Sequence, residues 1–141
     1  MPYNQAMSRA YPILCGVSGA LLLLVGIALT VSFYGYHLPG GGGGSALRVG
    51  PSGAYFAGFA GTALLGWGGA LIGAMRWPGL ARSLGTASAL ALVLAALQRM
   101  VAWLMGDYAA LGELPRVEAA VLLLWALAFV WLRPAPAVGG A

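Results

Sequence analysis

Residues 11–34 read YPILCGVSGALLLLVGIALTVSFY, 24 consecutive positions without a charged side chain. At roughly 1.5 Å of rise per helical residue the run extends about 36 Å, enough to cross a bilayer's hydrocarbon core with some tilt. A helix is the natural way across, because it satisfies its backbone hydrogen bonds within one segment. A secretory signal peptide has a shorter apolar core, roughly 7 to 15 residues, followed by a small-residue cleavage site. This run is longer and leads into Phe33, Tyr34 and Tyr36, so an uncleaved anchor is expected. Cys15 does not read as a lipoprotein cysteine, because the apolar segment follows it instead of preceding it.

The remaining sequence has the same character. It is 61% hydrophobic and 7% charged, where soluble domains carry roughly 25% charged residues. A soluble globular fold is thereby excluded, and 141 residues make one membrane domain. The net charge of +4 comes from seven arginines set singly between apolar spans, with no lysine. They form no basic patch, which speaks against nucleic acid and for orientation signals. A lone cysteine, Cys15, excludes thiol–disulfide chemistry that needs a pair, and a lone histidine, His37, cannot supply both axial ligands of a haem.

Three further apolar spans are expected. The second covers about 54–75, with Ser52 as its N-cap. The third covers about 83–105, capped by Ser83 after a basic turn holding Arg76, Trp77, Pro78, Gly79 and Arg82. The fourth covers about 115–132, with Pro115 in its first turn and Arg133, Pro134 and Pro136 ending it. The tail 134–141 reads as disordered. Residues 35–52 hold five consecutive glycines, Gly40 to Gly44, and read as a flexible loop. A phosphate-binding loop would need a preceding strand and a trailing Gly-Lys-Ser/Thr, both missing here. His37, beside Tyr34 and Tyr36, could in principle ligate a metal, but a single interfacial histidine reads more simply as solvated. The fold class is all-α, a polytopic antiparallel bundle of four transmembrane helices. In the second span Gly58, Thr62, Gly66, Ala70 and Gly73 recur at three- and four-residue spacing, and with Gly69 they are expected to form the close-packing face.

Arginine placement sets the expected topology. Arg9, Arg76, Arg82 and Arg133 fall on one side, Arg48 and Arg116 on the other, which puts both termini in the cytoplasm. Trp77 and Trp131 then mark the inner interface, and Tyr34, Tyr36, Tyr55, Trp103 and Tyr108 the outer one.

Function should sit where charge enters the apolar sequence, at residues 97–118, LQRMVAWLMGDYAALGELPRVE, which holds five of the ten charged side chains. A charge within a span demands a partner, a wet cavity or a route to the interface. Arg99 and Glu118 lie at similar depth on two helices joined by a short connection, so they are expected to pair. Asp107 is the rival partner, sharing a face with Arg99 and Trp103, and Gln98 is a further polar contact. The unit reads either as a structural pin or as a clamp for a ligand.

With "SGAYFAGFAGTALLGWGGAL", "LQRMVAWLMGD" and "PRVEAAVLLLWALA" in this order, residues 13–132 resemble the DoxX-like group of small four-helix bacterial membrane proteins. The marks are Arg99 late in the third helix, the Gly106-Asp107 end and Glu118 opening the fourth. The resemblance implies a four-helix fold in the bacterial inner membrane and an association, in some members, with membrane oxidoreductase complexes. The long glycine loop departs from that pattern.

Two functions compete. The first is a non-enzymatic accessory or assembly subunit that docks on itself or on other membrane proteins, and no catalytic constellation is legible in the sequence. The second is a quinone- or lipid-binding protein that uses Arg99, Gln98 and Glu118. A small exporter would need a carboxylate in its first span, and residues 11–34 have none.

Overall fold

The computed structural model describes residues 3–37, 51–105 and 113–133. These form four helices: α1 (Tyr3–His37), α2 (Pro51–Arg76), α3 (Pro78–Met105) and α4 (Leu114–Trp131). Each contains a segment long and apolar enough to cross a membrane. The fold is all-α, as the apolar runs require, and the chain is a multi-pass membrane protein.

Proline sets the helix starts. α2 opens on Pro51, α3 on Pro78, and α4 carries Pro115 in its first turn. A missing N–H costs nothing there, since the first-turn donors have no intrahelical acceptor. The start of α3 differs from the expected Ser83 for this reason. Trp77 is the single non-helical residue between α2 and α3. Its carbonyl oxygen accepts from the Leu80 and Ala81 amides at 3.0 and 3.2 Å. Ser83 lies inside the helix and donates back to the Leu80 carbonyl at 3.1 Å instead of capping. α2 likewise absorbs Ser52, the expected cap. At the far end α4 stops as expected before Arg133, its last turn closed by the Leu132 amide on Ala128 O at 3.0 Å. The expected glycine loop at Gly40–Gly44 and the tail 134–141 lie outside the described residues.

The helices sort into two compact units. One comprises the chain up to Leu14 together with Trp77 onward. Its interior is a seam of small residues between α3 and α4. On α3, Ala81, Gly85, Ser88, Leu92 and Ala96 are buried at three- and four-residue spacing, and on α4 Pro115, Ala119, Ala126 and Phe129 are buried. Tyr11, 1% exposed, completes this core. Its ring meets Phe129 edge-on, with centroids 6.3 Å apart.

The second unit is Cys15–Arg76. Here the later part of α1 and all of α2 run antiparallel with their backbones almost touching. A Cβ built on Gly19 would sit 2.8 Å from Gly68 O, and one on Gly68 would sit 2.7 Å from Gly19 O. Seven residues along, Gly26 and Gly61 meet in the same way, at 2.9 and 3.0 Å. Only glycine permits this approach, and in lipid such contact supplies the van der Waals attraction that hydrophobic exclusion cannot. Weak Cα–H···O contacts accompany this kind of geometry.

Polar side chains in the spans satisfy themselves locally. Thr30 donates to Gly26 O at 2.8 Å, Ser32 to Ala28 O at 2.8 Å and Thr62 to Phe59 O at 2.9 Å. Among the described residues no buried side-chain nitrogen or oxygen is left without a partner, as a low-dielectric surrounding demands.

Candidate functional site

The α3 seam that begins at Ala81 continues in register through Ala96 to Arg99 and Trp103, so the packing that joins α3 to α4 also aims the arginine at α4. On α4, Glu118 precedes the buried Ala119 by one position, which puts its carboxylate at the edge of the same seam. The two meet: Arg99 Nε lies 3.0 Å from Glu118 Oε2. The two form a close ion pair through Nε.

Depth along the helices matters for its cost. Arg99 lies six residues before the end of α3 and Glu118 four residues after the start of α4, about 9 Å and 6 Å along the axes. The pair therefore sits between one and two turns inside the helix ends, within snorkelling reach of the interface. It is not enclosed by its own chain. The Arg99 and Glu118 side chains are 50% and 43% exposed.

A groove of about 270 Å³ opens beside it, lined by Arg99, Val117, Glu118, Val121, Leu122 and Trp125. Its mouth is ionic and its floor aliphatic and aromatic, the polarity profile of an amphiphile. Toward the helix ends a second pair lies within the fourth helix's entry: Arg116 Nη1 is 3.4 Å from Glu113 Oε2. The Arg116 guanidinium also stands 5.6 Å from the centroid of the Trp103 ring. That cation–π contact ties the start of α4 to the end of α3.

Of the other residues singled out from sequence, Gln98 is exposed on α3. Asp107, the rival partner, lies outside the described residues, as does the side chain of His37 at the end of α1. Among the described residues no three histidine, cysteine or acidic side chains gather as a metal site would require. Gly58 packs, its Cβ position 2.8 Å from the Phe33 ring. Gly66, Gly69 and Gly73 do not, since a Cβ on any of them would meet nothing within 4 Å among the described residues. The close approach runs through Gly61 and Gly68 instead. The signal that could have found it is the matching seven-residue interval in Gly19/Gly26 and Gly61/Gly68.

No protein-family model, no curated protein and no solved structure matches this chain.

Proposed function

We propose that this small multi-pass membrane protein is an accessory or assembly subunit that docks laterally through the α3–α4 face carrying Arg99 and Glu118. The observation that carries the reading is the half-exposed ion pair. A charged pair open to hydrocarbon is expensive, whereas one covered by a polar partner keeps its attraction in a low dielectric. Docking another membrane protein there would complete the cover. The same reading places both termini in the cytoplasm and the ion pair toward the outer face of a bacterial inner membrane, on the arginine bias. It is compatible with the DoxX-like resemblance and with the attachment of such proteins to larger complexes.

One observation favours a second reading. The groove beside the pair has the size and polarity for a quinone ring or a lipid headgroup with part of its tail. In that case Arg99 and Glu118 hold the polar end and Val121, Leu122 and Trp125 the apolar end.

A photo-crosslinking residue at Val121, on the groove floor, separates the two in native membranes. A discrete protein adduct that disappears in an Arg99→Met background supports the docking subunit. An adduct of lipid or quinone mass alone replaces that reading with the second one.

A further inference from the structure

We propose that Arg82 and Arg133, joined through Thr86, form a binding site for the phosphate of an anionic lipid headgroup. The site lies at the end of the α3–α4 pair opposite Arg99 and Glu118 and does not depend on that face. Arg133, just past the end of α4, donates from Nη1 to Thr86 Oγ1 at 3.2 Å, linking positions 47 apart. Thr86 is one helical turn from Arg82 on α3, and its hydroxyl donates to the Arg82 carbonyl at 2.9 Å. The Arg133 guanidinium is thus held against Thr86, one turn from Arg82 on the same helix, beside a shallow cleft of about 550 Å³ lined by Arg82, Ser83, Thr86 and Ala87.

Among the described residues no acidic side chain faces this end. All three acidic side chains of the sequence are Asp107, Glu113 and Glu118. α3 (Pro78–Met105) holds none of them; Glu118 on α4 pairs with Arg99, and Arg99 is 17 positions from Arg82, about 25 Å along the helix. Among the described residues neither Arg82 nor Arg133 makes an ion pair. Arg133 spends one of its five N–H donors on Thr86.

Depth selects the kind of anion. The apolar segments of α3 and α4 begin at Leu80 and end at Trp131, so Arg82 and Arg133 lie at the hydrocarbon boundary. Trp77 and Trp131, both strongly exposed, bracket them as interfacial aromatics do. A phosphate at this depth is a lipid phosphate, with acyl chains able to lie along the apolar flank that Leu90 and Leu94 expose. Basic pockets between transmembrane helices recognise such headgroups.

The test uses the full chain reconstituted in bilayers of equimolar phosphatidylglycerol and phosphatidylcholine, extracted in mild detergent, with the retained lipids quantified. The wild type should retain phosphatidylglycerol in preference by roughly fivefold or more, the effect of a single interfacial arginine. The preference should fall to near parity in the Arg82→Gln/Arg133→Gln variant. It should persist in Arg76→Gln, which removes a charge from the other unit, and in Arg82→Lys/Arg133→Lys, which keeps the charge. Equal retention of the two lipids by the wild type overturns the proposal without reference to any variant. So does an equal loss in Arg76→Gln, which would mark a diffuse charge effect. Displacement of all retained phosphatidylglycerol by millimolar inorganic phosphate would assign the site to a free anion and reject the lipid.

Discussion

The Tyr11 hydroxyl donates a hydrogen bond to the Ala81 carbonyl oxygen at 2.9 Å, joining α1 to α3 across 70 positions of sequence. Gly85 makes room for it, because any Cβ there would collide with the Tyr11 hydroxyl and stand 2.7 Å from Tyr11 Cζ. Tyr11→Phe should cost about 0.5–1.5 kcal/mol, the net value of one hydrogen bond. Gly85→Ala should cost more, about 1–3 kcal/mol from overpacking, enough to outweigh the roughly 1 kcal/mol that alanine gains in helix propensity. Combining the two changes should recover only part of the loss, since the ring stays in place. Unfolding in mixed detergent micelles reads both, and a Gly85→Ala variant as stable as the wild type would refute the contact.

The glycines of α2 should divide into two classes. Gly61→Ala and Gly68→Ala insert a methyl where the α1 backbone already stands, forcing the helices apart. Each should lower the melting temperature clearly. Gly66→Ala and Gly73→Ala enter open space and should be neutral or stabilising by up to about 1 kcal/mol. A uniform response across all four would remove the case for a glycine-mediated α1–α2 contact.

These classes show what a membrane sequence conceals. The spans were legible because 24 uncharged residues in the first run admit few alternatives. Arg99 and Glu118 were legible as partners because isolated charges in an apolar chain have few places to go. The packing face of α2 was not. In water a helix marks its buried side by being apolar there, but in lipid both sides are apolar and no such stripe exists. Seven glycines in 26 residues then permit several plausible faces. Only the partner's Gly19 and Gly26 select among them. Ser83 misled for a simpler reason, since Pro78 already served as a helix start.

Topology can be read with thiol reagents against a quiet background. Cys15 is fully buried and should resist alkylation in intact membranes, reacting only after denaturation. A cysteine placed at Ser45 should be labelled from outside the cell, while reporters fused at both termini report the cytoplasm. Labelling of Ser45→Cys only after the inner face is opened would reverse the orientation.

The ion pair itself calls for a double-mutant cycle carried out in two settings. In detergent, where water reaches the half-exposed pair, the Arg99–Glu118 coupling should be small, about 1 kcal/mol or less. In native membranes a docked partner would exclude that water, and removing one charge would leave the other buried at a cost of about 3–5 kcal/mol. Arg99→Met or Glu118→Gln should therefore reduce abundance in membranes far more than they lower stability in detergent. Arg99→Met combined with Glu118→Gln should recover part of the abundance, because no uncompensated charge remains. It should still fail to dock, since the surface that the partner covers has lost both poles. Strictly additive losses would dissolve the pair as a functional unit, and the cycle would then be repeated with Asp107→Asn.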